Sequence, residues 1–181
     1  MKKLRIRPGF TLAELLVMLA ILAIMVAVLV PVVTNQIRKG DINAVTGDLA
    51  NLRSGIEAYR SDVGRFPDAV DQLVSKSNVD VDISGNTVPS GLQNRWAGPY
   101  IDKIDVGSGM PTGFGGVIAN QFSSSTAAGN NYLVVEVTGV DESDFADIDE
   151  VLDGSANSST GRLQWTTASS GTVRYLALPI S

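Results

Sequence analysis

Twenty-four residues from Phe10 to Val33 contain only two polar side chains, Thr11 and Glu14. As a helix at about 1.5 Å per residue this run is roughly 36 Å long, more than the roughly 30 Å of a bilayer's hydrocarbon core. A helix apolar on every side, with nothing in the same chain to cover it, must be covered by lipid or by copies of itself. Four basic residues, Lys2, Lys3, Arg5 and Arg7, precede it. The positive-inside rule therefore places the N-terminus in the cytoplasm and sends the chain beyond Val33 outward. A removable secretory signal has a shorter apolar region and a small-x-small cleavage site. Here the run is followed by PVVTNQIRKGD, so the segment is expected to be retained.

Glu14 is the anomaly in this run. Locally, Thr11-Leu12-Ala13-Glu14 has the spacing of a capping box, and a first-turn carboxylate complements the helix dipole. An ionised side chain within a membrane helix nonetheless costs about 2.5 to 3.5 kcal/mol on mild scales, so it calls for a cationic partner. The apolar run itself offers none.

The string Gly9-Phe10-Thr11-Leu12-Ala13-Glu14-Leu15-Leu16, followed by an uninterrupted apolar helix, resembles the class III signal of type IV prepilins and type II secretion pseudopilins. Pro8 and Ala13 depart from the usual pattern, whereas Pro31 stands where the family commonly has a proline. The resemblance implies cleavage by a prepilin peptidase between Gly9 and Phe10, then N-methylation of Phe10. It supplies the missing partner, since cleavage creates an ammonium group at Phe10. That group would pair with Glu14 of the same helix or of a neighbouring subunit, and in the family the pairing between subunits sets filament register. An unpaired buried charge is heavily penalised, so only a stagger that pairs both is tolerated. Pro31 has no N–H for the carbonyl of Ala27, and a kink or local opening is expected there.

Beyond the span, Ile42, Val45, Leu49, Leu52, Ile56 and Tyr59 recur at alternating spacings of three and four, the stripe of an amphipathic helix. The helix is expected to run on to about Ser61, weakened at Gly40 and Gly47, and to end at Val63-Gly64-Arg65-Phe66-Pro67. A short helix is expected within Asp68 to Lys76, using Val70, Leu73 and Val74. Strands are expected at Tyr132 to Thr138, Arg162 to Thr167 and Thr172 to Leu178, the last two forming a hairpin around Ala168-Ser169-Ser170-Gly171. Phe145, Ile148, Val151 and Leu152 suit the inner face of a helix that starts after Ser143 and ends at Gly154. Residues 123–130 and 154–161 read as loops, and the Gly113 to Gly116 cluster as a turn, since no Gly-Lys-Ser/Thr follows it.

Tyr59 to Pro67 and Trp96-Ala-Gly-Pro-Tyr-Ile are similar to two stretches of type II secretion pseudopilins, especially the major one, although that subunit's Asp-Pro-Trp-Gly segment is missing. The implied fold is α+β and type IV pilin-like, a long N-terminal helix packed on a small antiparallel sheet. Its parts are a basic leader at 1–9, a membrane and filament-core helix at 10–33, an amphipathic continuation at 34–63 and an α+β head at 64–181.

The 181 residues include no cysteine and no histidine, which removes disulfides, thiol nucleophiles and imidazole bases. Beyond Gly9 the formal charge is −9, a poor match to a phosphate backbone, so no nucleic-acid partner is expected. Enzyme activity is not expected either. The most acidic stretch, Asp141 to Asp153, is read as a solvated helix face. Some pseudopilins hold calcium in a late loop, and by that resemblance Asp149, Asp153 and Asn157 are candidate ligands, with no other cofactor implied.

Three readings stand open on sequence. The first is a structural subunit of a secretion pseudopilus, partnered by copies of itself, minor pseudopilins, the prepilin peptidase, an inner-membrane assembly platform and the bilayer. The second is the pilin of a surface pilus serving adhesion, motility or DNA uptake. The third is a monomeric, membrane-anchored binding module.

Overall fold

The computed structural model describes residues 9–102, 109–167 and 171–180, the side chain of Thr167 excepted. The leader residues 1–8 and the expected hairpin turn at 168–170 lie outside the described residues. One helix, α1, runs from Leu12 to Val63. The chain divides into two compact units, one through Lys39 and one from Gly40 onward, so the second begins inside α1.

In the first unit, every residue from Gly9 to Ile37 is exposed. α1 carries through Pro31 without a break. Just beyond it, Thr34 Oγ1 donates to the carbonyls of Val30, at 3.2 Å, and Pro31, at 3.1 Å, engaging oxygens beside the missing proline N–H.

In the second unit, α1 buries the stripe predicted for it: Ile42, Val45, Leu49, Leu52, Ile56 and Tyr59, together with Gly55 and Val63. Burying each large apolar side chain is worth about 1.5 to 3 kcal/mol, which is what holds this part of the helix in place. The helix stops where Gly64 takes φ 77° and its N–H bonds to the carbonyl of Arg60 at 2.8 Å.

The stripe packs on a six-stranded antiparallel sheet: β1 (Met110–Pro111), β2 (Val117–Ile118), β3 (Ser123–Ala127), β4 (Asn130–Thr138), β5 (Leu163–Thr167) and β6 (Thr172–Pro179). Its order is β1-β2-β4-β6-β5, with β3 also paired to β4. Leu133, Val135 and Val137 of β4 and Val173, Tyr175 and Ala177 of β6 join α1 in one core at a period of two, and Val134 and Leu176 between them are buried as well. The expected hairpin of β5 and β6 forms, with Leu163 opposite Tyr175 and Trp165 opposite Val173.

Three local expectations change. Residues 123–127 are not loop but strand β3, paired from Ser123↔Val134 to Ala127↔Asn130. The reason is the turn: Ala128 at φ 48° and Gly129 at φ 81° supply the left-handed pair that a tight hairpin requires. The short helix expected at 68–76 is replaced by two 3-10 turns, Val70–Leu73 and Lys76–Asn78. The third change is in the helix at Glu142–Asp153, which follows a single-turn helix, α2 (Ser90–Gln93), and is α3 in chain order. There Val151 faces solvent and Asp149 is buried beside Phe145 and Ile148. At 100° per residue, position 149 lies within about 40° of 145 and belongs to the inner face, while 151 is about 120° from 145 and falls outside it.

The two stretches that resemble pseudopilins meet. Trp96 Nε1 donates to the carbonyl of Gln72 at 2.9 Å, and Tyr100 Oη donates to Asp62 at 2.8 Å. The rings of Tyr59 and Trp96 lie 5.9 Å and 5.6 Å from that of Tyr100, both edge-on. Here α1 is also approached closely by another segment: a Cβ on Gly55 would stand 2.7 Å from Ile101 Cγ2.

Candidate functional site

Gly9, Phe10 and Glu14 sit at the exposed start of α1. Thr11 and Glu14 form a reciprocal capping box. The Thr11 N–H donates to Glu14 Oε2 at 2.8 Å and the Thr11 hydroxyl donates to the same oxygen at 2.9 Å, while the Glu14 N–H donates to Thr11 Oγ1 at 3.2 Å. Two orphan donors of the helix end are thereby satisfied. The carboxylate is held at the end of the apolar surface and is the only acidic group on α1 before Asp41.

Of the predicted calcium ligands, the fold brings together Asp149 and Asp153. Asp149 is fully buried; its Oδ2 accepts the N–H of Asn157 at 2.6 Å, and its Oδ1 has no hydrogen-bond partner. Burial, and then the neighbouring Asp153 carboxylate, push Asp149 above the usual carboxylate range. Asp153 Oδ2 accepts the backbone N–H groups of Arg162 and Leu163, pinning the far end of the 154–162 loop. Asn157 is turned to other work: its Oδ1 accepts from the Ser159 N–H at 3.0 Å, the Ser159 hydroxyl at 3.1 Å and the Thr160 N–H at 3.3 Å. The orphaned Asp149 Oδ1 beside a second carboxylate fits a hard cation. No group of three or more His, Cys, Asp or Glu side chains forms a metal cage among the described residues, so further oxygens would come from backbone or water.

Sequence reading missed the inward turn of Asp149, although the spacing of Phe145, Ile148, Asp149 and Leu152 contains it. It also missed Gln72, which is buried and ties Tyr59, Asp68 and Val81 together: its Oε1 accepts from the Tyr59 hydroxyl at 3.4 Å and the Asp68 N–H at 3.1 Å, and its Nε2 donates to the Val81 carbonyl at 2.9 Å.

A long N-terminal helix, apolar and exposed over a membrane-spanning length, and an antiparallel sheet of six strands define a type IV pilin-like α+β protein fit for membrane anchoring. The chain is similar to proteins named type II secretion system core protein G. It is 29% identical to that of Aeromonas hydrophila over 56% of this chain and 81% of the relative. With that of Klebsiella pneumoniae the identity is 34% over 53% of this chain and 64% of the relative. With that of Pectobacterium carotovorum it is 31% over 39% of this chain and 47% of the relative. The last two matches span less than two thirds of those relatives' lengths. No protein-family model matches the chain, and no solved structure matches it significantly. Fold and similarity together support placing the chain in the pseudopilin family.

Proposed function

We propose that the chain is a structural subunit of a secretion pseudopilus, held in the inner membrane by the first half of α1 and drawn into a filament through that same surface. The observation that carries this is the unbroken exposure of residues 9–37 with Glu14 as the lone acidic group, on a chain similar to type II secretion core proteins. Such a surface is stable in lipid or against copies of itself, and the two coverings are the states before and after assembly. In this reading the N-terminus is cytoplasmic and the remainder periplasmic, and a prepilin peptidase cuts between Gly9 and Phe10. The ammonium of Phe10 then pairs with Glu14 of an adjacent copy, while Pro31 marks where α1 adjusts within the packed core. Partners are further copies, minor pseudopilins and the inner-membrane assembly platform; no nucleic acid and no catalytic role are assigned. A surface-pilus pilin shares every one of these features, and the similarity to secretion proteins favours the pseudopilus. Calcium, when bound, would be held by Asp149 and Asp153. It would neutralise two adjacent carboxylates and so fasten α3 to the 154–162 loop.

The test is Glu14→Gln, which keeps the size and the Thr11 contacts and removes the charge. The variant is expected to reach the membrane at the normal level but to yield at least tenfold fewer filaments and a matching loss of secretion. Normal filaments with unchanged subunit spacing would overturn the register mechanism.

A further inference from the structure

The second unit carries clusters of charged side chains of opposite sign at its two ends. At the C-terminal end of α1, a groove of about 240 Å³ is lined by Arg60, Arg65, Phe66, Asp82, Ile83 and Ile180, with Gly64 and Ser84 at its edge. Arg60 lies over the Phe66 ring at 4.2 Å, and the Arg95 guanidinium comes to the same place, 3.9 Å from where a Cβ on Gly64 would stand. All three arginines are exposed. The nearby carboxylates are engaged elsewhere or with one of them: Asp82 pairs with Arg65 at 3.2 Å, Asp62 accepts from Tyr100, and Glu57 pairs with Arg53 at 3.1 Å. Arg60 and Arg95 are left without a carboxylate partner among the described residues.

The opposite end is acidic. Asp141 and Glu142 are exposed at the start of α3, directly after Val140, whose N–H bonds to the carbonyl of Gly171 next to the first residue of β6. No Lys or Arg occurs from Asp141 to Gly161. Asp41 belongs to this end too: its Oδ1 lies 3.4 Å from where a Cβ on Gly113 would be, in the turn beside Thr138. The arginine groove reaches Ile180, just past the last residue of β6. Eight residues of strand, about 23 Å at roughly 3.3 Å per step, separate the two ends.

Resting on the filament reading above, we propose that the arginine groove at the end of α1 receives the Asp141–Glu142 segment of a second copy. The two surfaces differ and lie at opposite ends of one unit, so the contact is heterologous. It does not close on itself as a two-fold dimer does, and it propagates. Arginine suits the task, because its planar fork grips carboxylates at two points and stacks on aromatic rings, as Arg60 already does on Phe66. Like charges at a wrong register repel, so the contact selects one arrangement of neighbours as well as binding them.

The chain has no cysteine, which leaves a clean background for crosslinking. Ser84, on the groove rim, and Ser143, next to Glu142, are both exposed and are replaced together in the full chain, Ser84→Cys with Ser143→Cys, expressed in its native host. Oxidation is expected to give a ladder of dimers, trimers and longer species, whereas a mixture of the two single variants stops at dimers. Adding Arg60→Glu and Arg95→Glu is expected to lower ladder yield about tenfold, and further adding Asp141→Lys and Glu142→Lys to restore it. Thermal melting of each variant checks that it folds. Filaments seen by electron microscopy without a ladder, or a ladder indifferent to charge reversal, would overturn this contact and leave the filament reading standing. Absence of filaments and ladder alike in the otherwise unaltered chain would overturn both. Crosslinking of the groove to a different protein or its neutralisation by anionic lipid, with no ladder, would also overturn it.

Discussion

At the residue scale, single atoms decide where the chain tolerates change. Gly55 faces Ile101 across a gap that has no room for a methyl group: the added carbon would sit 2.7 Å from Ile101 Cγ2 and 3.3 Å from the Tyr100 carbonyl. Gly55→Ala improves helix propensity by about 1 kcal/mol. Overpacking costs about 1 to 3 kcal/mol, and backbone oxygen is among the atoms crowded, so the net effect is expected to be destabilising, read as a lower urea midpoint with unchanged slope. Gly40 and Gly47 have open space around their would-be Cβ positions, and alanine there is expected to stabilise. Asp68 gives a pH signature. Partial burial, and then the charges of Asp80, Asp82 and Asp71, raise its carboxyl above the ordinary 3.8, with the Gln121 hydrogen bond opposing them. An acid whose folded pKa is raised binds its proton more tightly when folded. It therefore destabilises the native state above that raised pKa, and the loss is recovered as pH falls toward 3.8. Asp68→Asn, which can still accept from Gln121, is expected to melt higher than the parent at neutral pH, the advantage disappearing toward pH 4. Equal melting temperatures throughout would refute this.

At the element scale, the sequence was most informative where one periodicity ran long. The stripe from Ile42 to Tyr59 was legible because six apolar residues held a helical spacing, and the structure buries all six. β3 was illegible because Ser123 to Thr126 carry no apolar alternation; backbone pairing to β4 and the Ala128-Gly129 turn make it a strand. In α3 Val151, three residues after Ile148, was read with the apolar residues and the acidic stretch as a solvated face, whereas the structure turns Asp149 inward and leaves Val151 at the exposed border. That inversion bears on chemistry, since a buried carboxylate with an unpartnered oxygen calls for a compensating charge. Calcium is accordingly expected to raise the melting temperature of the parent chain. The shift is expected to vanish in Asp149→Asn with Asp153→Asn and to survive in Asn157→Ala, whose side chain serves the loop's own N–H groups. A calcium response indifferent to Asp149 and Asp153 would exclude the pair as ligands.

At the scale of the whole molecule, the two units have opposite needs. From Gly40 onward apolar side chains find one another inside the chain, and Val151 alone among the described large hydrophobics there is mostly exposed. From Phe10 to Ile37 they find nothing, and eighteen large apolar side chains are exposed. Lipid and a bundle of like helices both solve this, and either covering must also accommodate Glu14. In the uncut chain Thr11 caps that carboxylate without neutralising it. The ammonium proposed to do so would exist only after the proposed cut before Phe10.

The mass of the chain recovered from membranes and from sheared filaments tests this dependence most directly. A species beginning at Phe10 and carrying one added methyl group is expected in both fractions, with no uncut chain in the filaments. Filaments built from chains that still begin at Met1 would contradict it, because polymerisation would then proceed without the Phe10 ammonium proposed to pair with Glu14.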